Sequence, residues 1–326
     1  MAPSAVDAPN VQAKNLKVPQ GSLPPSDKLN TKRKIVCFSD FDGTIFMQDT
    51  GHILFNKYGC GSEQRELLDQ QIKSGERSFR DVSEEMWGSL NVPFADGFNE
   101  MKGALEIDPQ FQNFHQFCVK NDIPFNVISA GLRPVLRSVL DHFLGEEASS
   151  GIDIIANDAV INEDGTNWQV VWRHDTPHGH DKALSINEYK EAAKIEAEDG
   201  QIPMVIMIGD GVSDLPAARS ADLLFARRGL ALEEYCIEHK IAYIPYDTFA
   251  DIQKEIIKIA KVDDEKTKGK GLPINFNPRA NMWRRASSKN SVSTFAAMTP
   301  KTERAFIWPE TFTEIKEHNE NLKATA

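Results

Sequence analysis

The stretch Lys34-Ile35-Val36-Cys37-Phe38-Ser39-Asp40-Phe41-Asp42-Gly43-Thr44 decides how this chain reads. Its β-branched and aromatic run has the length of a buried strand. Asp42-Gly43 marks a turn at its end. Carboxylates crowded at the carboxyl end of a strand repel one another, so they persist where a cation or a reaction needs them. A calcium loop of the EF-hand type needs glycine at its sixth position and a bidentate glutamate at its twelfth. Ile45 holds the glycine's place and Ile53 follows near the closing position, so that reading fails. Taken alone, the segment still admits a solvated Asp-Gly turn without chemistry.

With 326 residues and 40 % apolar content the chain can bury a large core, and it suits one or two domains plus appendages. Its net charge of −11 offers no basic footprint for nucleic acid or an anionic membrane, so neither is an expected partner. Cys37, Cys60, Cys118 and Cys236 are widely spaced and include no Cys-x-x-Cys pair. Thiols in a reducing compartment are expected, the cytoplasm first and the nucleus second. No run reaches the roughly 20 apolar residues of a membrane span, and the N-terminus lacks the apolar core of a secretory signal.

Residues 1–32 and 263–326 are polar, interrupted by proline and without an apolar period, which predicts disorder at both ends. Between them, residues 33–262 alternate short apolar runs with helical patterns. Strands are expected at Ile35–Phe38, Phe125–Ile128, Ile152–Ala156, Met204–Ile208 and Leu223–Phe225, and an antiparallel hairpin over Asp158–Trp172 around Glu163-Asp164-Gly165. That pattern predicts an α/β fold with a mostly parallel sheet covered on both faces. The interval from the first strand to the second is far longer than one crossover needs. Helical patterns at Glu63–Ile72, Phe79–Leu90 and Gly97–Leu105 read as an inserted helical cap at about residues 48–108.

Three further signals each follow an expected element: Ser129-Ala130-Gly131, His180-Asp181-Lys182, and Gly209-Asp210-Gly211-Val212-Ser213-Asp214. In this order the four segments resemble the motifs of the haloacid dehalogenase superfamily. The resemblance implies a Rossmann-like parallel sheet and a Mg²⁺-dependent phosphatase of small phosphate monoesters. Asp40 would be the nucleophile that becomes an aspartyl-phosphate, and Asp42 the acid that protonates the leaving oxygen and then activates water. Asp40, the main-chain carbonyl of Asp42 and Asp210 would hold Mg²⁺, supported by Asp214. Gly43, Ser129, Ala130 and Lys182 would hold the phosphate. Singly, Ser129 also reads as a turn hydroxyl, Lys182 as a solvated helix residue and Asp214 as a helix cap. His178-Gly179-His180 reads as a loop near the phosphate, and Trp168, Val170 and Trp172 read as packing residues.

The helical cap resembles the phosphoserine-phosphatase branch, where an acidic residue nine positions beyond the nucleophile meets the substrate; Asp49 stands at that spacing. Gly75 and Phe79 fit a further motif of that branch, but Met86 occupies the place of its carboxylate-gripping arginine, which weakens phosphoserine as substrate. Ser78-Phe79-Arg80, Gly179-His180-Asp181-Lys182 and Asp222-Leu223-Leu224-Phe225-Ala226-Arg227-Arg228-Gly229 are similar to the fungal polyol-phosphatase type. That similarity implies sugar-alcohol phosphates as substrates, with Asp49 and Arg80 setting specificity. The alternatives are another small monoester (phosphoserine, phosphocholine or a sugar phosphate) or a non-catalytic binding protein on the same fold. In the tail, Arg284-Arg285-Ala286-Ser287 resembles a basophilic-kinase site, so a kinase or phosphoserine reader is a partner expected at Ser287.

Overall fold

Ile35–Ser39 is buried along its whole length because its two faces serve two different cores. Ile35 and Cys37 join one apolar cluster, Val36 and Phe38 the other, which is why the strand reads as an uninterrupted apolar run. The computed structural model describes residues 28–29, 34–197 and 202–267. After β1 (Ile35–Ser39) comes a helical insertion of α1 (Thr50–Tyr58), α2 (Gly61–Ser74), α3 (Phe79–Gly88) and α4 (Phe94–Ala104). The chain returns through α5 (Phe111–Lys120) to β2 (Phe125–Leu132), then α6 (Arg133–Leu144), α7 (Glu146–Ser149), β3 (Asp153–Ile161) and β4 (Trp168–Val171). There follow α8 (Lys182–Glu196), β5 (Met204–Gly209), α9 (Leu215–Ser220), β6 (Leu223–Arg227), α10 (Ala231–Glu238), β7 (Ile244–Tyr246) and α11 (Phe249–Thr267).

The seven strands form one sheet in the order β4-β3-β2-β1-β5-β6-β7, parallel except for β4. β1 is central and pairs with both β2 and β5, so the carboxyl ends of these strands, and the motifs that follow them, lie side by side. Helices α8, α9 and α10 cover one face through Ile186, Leu215 and Leu232; α5, α6 and α11 cover the other through Phe114, Val135 and Phe249. This is the α/β fold that the alternating pattern predicts.

The strands differ from expectation in extent. β3 runs unbroken from parallel pairing with β2 into antiparallel pairing with β4, so the strand expected at Ile152–Ala156 and the first arm of the hairpin are one element. β7, α1 and α10 were not anticipated, being short and without a long apolar period. α11 continues to Thr267, five residues past the boundary at 262, since Glu265 and Lys266 are good helix formers despite lacking a core pattern. The expected disordered ends otherwise fall outside the described residues.

The helical insertion is fastened to the hairpin. Trp168 Nε1 donates to Val92 O at 2.9 Å, and the Trp168 ring stacks against Trp87 and Phe94 with centroids 6.2 and 5.8 Å apart. The alternating tryptophans are therefore packing residues, as their spacing suggested.

Phe249 pins α11 to the sheet, with Phe111 and Phe114 at 4.9 and 5.2 Å and no exposed surface of its own. Phe249→Ala leaves a cavity between α5 and α11, and is expected to lower the unfolding free energy by about 3–5 kcal/mol in urea titration.

Candidate active site

Each segment singled out in the sequence ends at one cavity above the carboxyl edge of the sheet. Its floor includes Asp40, Ser129, Lys182 and Asp210, its rim Asp49 and Met86, and its volume is about 210 Å³. The Asp40 main-chain N–H donates to Ile208 O at 2.9 Å, which ties the residue after β1 to β5. Its carboxylate is held at both oxygens: Oδ1 accepts from Phe41 N at 2.7 Å, and Oδ2 lies 2.8 Å from Lys182 Nζ.

Lys182 is almost wholly buried, so the reading as a solvated helix residue does not hold. Its ammonium also meets Asp214 Oδ1 at 2.7 Å. Burial would lower its pKa, but Asp214 and Asp40 outweigh that and hold it above the ordinary lysine value. Asp214 is not a side-chain cap for α9 either: its Oδ2 accepts from the N–H groups of Asp210 and Gly211 at 3.1 and 3.2 Å. Gly209 leaves room for it, since a Cβ there would sit 2.2 Å from that same oxygen.

Carboxylate oxygens of Asp40, Asp210 and Asp214 all lie within 4.8 Å of one another. Burial and then Asp214 raise Asp40 well above its ordinary value, and the same two causes push Asp210 up to about 7. Burial and mutual repulsion both disfavour the ionised carboxylates, and a compact set of hard oxygens suits a divalent cation such as Mg²⁺. Gly43 stands in the left-handed region with φ +74°, and a Cβ there would lie 2.3 Å from Asp210 Oδ2, so glycine is what the close approach requires. Thr44 Oγ1 donates to Asp210 Oδ1 at 2.8 Å, and Arg227 holds the Thr44 carbonyl at 2.6 Å while pairing with buried Asp108 at 2.9 Å. Arg227 lay within a quoted motif, but nothing local in the sequence signals this support.

Asp42 faces the same cavity from the turn. Oδ1 accepts from Thr50 N at 2.8 Å and Oδ2 from Thr50 Oγ1 at 3.2 Å. Burial and then Asp49 raise its pKa well above the ordinary carboxylate value. Asp49 itself caps α1 by accepting from His52 N at 2.8 Å, a structural task beside its place on the cavity wall.

Ser129 and Ala130, at the irregular end of β2, are gripped from behind. Asn157 Nδ2 donates to Ala130 O at 2.9 Å, and the Arg173 N–H donates to Asn157 Oδ1 at 3.0 Å. His180 Nδ1 lies 2.6 Å from Ser129 O, which can only accept, so Nδ1 carries the proton. Nε2 then accepts from the Ser185 hydroxyl at 2.9 Å, while Ser185 Oγ accepts from Arg173 Nε at 3.0 Å. The ring is neutral, and burial pushes its pKa down to about 3. Ser129 Oγ accepts from Gly131 N at 3.0 Å, so the turn-hydroxyl reading holds together with its place in the cavity.

The other expected residues divide. Arg80 is drawn away from the cavity lining: its Nη1 lies 2.5 Å from Asp175 Oδ1, and its guanidinium sits 5.5 Å from the Trp172 ring centre. Ser287 lies outside the described residues.

Among known proteins, the profile of the haloacid dehalogenase-like hydrolases matches residues 37–219 of the chain. The chain is 37% identical over 228 residues to Pdp3-interacting factor 1 of Schizosaccharomyces pombe, covering 70% of this chain and 97% of that protein. It is 35% identical over 220 residues to the polyol phosphate phosphatase PYP1 of Saccharomyces cerevisiae, covering 67% of this chain and 91% of that one. Its fold is similar to that of a substrate-bound phosphoserine phosphatase complex, with a TM-score of 0.52 at 16% identity over 70% of this chain and 99% of the other.

The buried neutral imidazole makes stability depend on pH. Between the unfolded value of about 6.5 and the folded value of about 3 the unfolded chain binds the extra proton, so this contribution is complete at neutral pH and is lost as pH falls. The margin by which the wild type exceeds His180→Gln in unfolding free energy is expected to shrink by about 3 kcal/mol between pH 7 and pH 4, measured by urea unfolding.

Proposed function

This chain belongs to the haloacid dehalogenase-like hydrolase family, and from that membership we propose that it is a Mg²⁺-dependent phosphatase of sugar-alcohol monophosphates, working through a phosphorylated Asp40. The observation that carries the proposal is the buried Asp40 carboxylate, fixed at both oxygens by Phe41 N–H and Lys182 at the floor of an open cavity. A nucleophile so held keeps one orientation toward phosphorus.

Asp40 forms a bond to phosphorus as the bond to the leaving oxygen breaks, and that oxygen takes a proton from Asp42. The raised pKa of Asp42 suits a group that must carry this proton near neutral pH. Water then attacks phosphorus as the bond from phosphorus to the Asp40 oxygen breaks, the water's proton passes to the Asp42 carboxylate, and inorganic phosphate leaves with the Asp40 carboxylate restored. Ser129, the main chain of Ala130, Gly43 and Lys182 hold the phosphoryl oxygens. Asp40, Asp210 and the Asp42 carbonyl would bind Mg²⁺, with Asp214 supporting; the ion would neutralise charge on the phosphoryl group. The insertion at about residues 48–108 serves as a cap within a phosphatase domain of residues 33–262.

For the substrate, the similarity to a polyol phosphate phosphatase is supported by Met86, which lines the cavity where a carboxylate-bearing substrate would want a cation. No helix among the described residues is long and apolar enough to cross a membrane. The four cysteines form no disulfide among the described residues, which suits a reducing compartment such as the cytoplasm.

The purified protein is expected to release phosphate from an aryl phosphate only when Mg²⁺ is supplied. Asp40→Asn should cut that rate by at least about a thousandfold while circular dichroism still shows the native fold; activity retained in that variant would remove Asp40 from the nucleophile's place. Met86→Arg is expected to raise kcat/KM for phosphoserine about tenfold, read as phosphate release.

A further inference from the structure

The end of the cavity remote from Lys182 is built by the helical insertion. His52 on α1 and Asp69 on α2 line it together with Asp49, and the ring pair Phe55 and Trp87, 4.8 Å between centroids, forms an apolar wall. His52 Nε2 stands 3.9 Å from Asp49 Oδ2 and 3.9 Å from Asp69 Oδ2. Neither separation is a hydrogen bond, so the imidazole and the carboxylates keep donor and acceptor capacity for something entering between them. These side chains are open to the cavity, His52 at 41% and Asp69 at 24% exposure.

Charge narrows what that something is. Lys182 is the one lysine or arginine lining the cavity among the described residues, and it is engaged by Asp40 and Asp214 at the opposite end. Arg65 is the cation nearest the distal end. It is turned to hold Asp69 Oδ2 at 2.6 Å and Asn56 Oδ1 at 2.8 Å and does not line the cavity. An anionic leaving group would meet two carboxylates, of which Arg65 offsets only Asp69. A quaternary ammonium would suit the carboxylates and the aromatic wall but offers the imidazole no hydrogen-bonding group. A chain of hydroxyls satisfies both: each O–H donates to a carboxylate and accepts from His52, while the carbon-bound hydrogens lie against the aromatic wall.

We infer that His52, set between Asp49 and Asp69, is a specificity-determining residue that reads the distal hydroxyls of an uncharged polyol leaving group, with Asp69 fixed for that task by Arg65. The inference rests on the phosphatase reading of the same cavity. It assigns the hydroxyl end of the substrate to α1 and α2 of the insertion, where no catalytic motif lies.

The test compares kcat/KM for a pentitol monophosphate, phosphocholine and an aryl phosphate, with Mg²⁺, in the wild type, His52→Ala, His52→Asn and Asp69→Ala. Alanine is a good helix former at this position of α1, so His52→Ala should fold, and thermal melting checks it. The ratio of the pentitol ester to the aryl ester is expected to fall about tenfold in His52→Ala and in Asp69→Ala, and the ratio of the pentitol ester to phosphocholine to fall with it in His52→Ala. Asparagine at position 52, which still donates and accepts, should restore part of the loss. Ratios that move less than about twofold overturn the inference, as does phosphocholine declining in step with the pentitol ester in His52→Ala. Absence of Mg²⁺-dependent release from all three esters in the wild type removes the phosphatase reading, and the inference with it.

Discussion

The ammonium of Lys182, wedged between Asp40 and Asp214 and shut off from solvent, is the contact on which the rest of the site depends. A parallel sheet collects the ends of β1, β2 and β5 at one edge, and here it delivers carboxylates that would otherwise drive one another apart. One buried cation among them offsets part of that repulsion and fixes the direction of two of the carboxylates. Removing one partner of such a buried pair is far costlier than the pair's net contribution suggests, because the charge left behind has no solvent to turn to. Burial first, and then repulsion from Asp214, keep the pKa values of Asp40 and Asp210 raised despite Lys182. A site in that condition favours any added positive charge, and it holds that readiness at the position where a phosphoryl group would lie.

Around this charged centre the protein uses neutral, fully satisfied groups wherever a wrong charge would be costly. The imidazole of His180 and the amide of Asn157 hold the carbonyls of Ser129 and Ala130, so the shape of this end of β2 does not depend on titration near neutral pH. On the other side Asp210 is held by the neutral Thr44 hydroxyl, whose carbonyl is in turn held by the charged Arg227. These supports come from β3, β6 and the loop before α8, far from the motifs they serve. They keep reacting groups in register with one another, which matters for a reaction whose catalysis is mostly positioning and charge neutralisation.

The insertion and the sheet are coupled by aromatic contacts as well as by the hydrogen bonds from Thr50 to Asp42. Trp168 joins α3 and α4 to the hairpin, and Arg80 rests on Trp172 while pairing with Asp175. The hairpin therefore sets where the insertion sits over the strand ends, and with it the size of the space between them. Fold likeness to phosphoserine phosphatase at 16% identity speaks to this architecture alone. Met86, His52 and Asp69 stand on the lining of the cavity, outside what that likeness speaks to.

The sequence by itself picked out residues that the fold brings together, and the ends of the strands that carry them. Asp40, Asp42, Ser129, Lys182, Asp210 and Asp214 are legible because each follows an apolar run or opens a helix, and those signals are local, spanning a few residues. For the same reason β7 and α1, too short for a period to declare itself, were not legible, and β3 was divided where its partner changes while its own backbone continues. Tertiary structure alone decided what each side chain touches. Thr44 meets Asp210 across 166 positions and Arg227 meets Asp108 across 119, and His52 and Asp69 face each other only once α1 and α2 have packed. Arg80, read from its motif as a specificity residue, is drawn to Asp175 and the Trp172 face, partners that lie about ninety positions away. Periodicity and propensity act along the chain, whereas these pairings are settled by packing, burial and charge between segments that meet only in the folded state.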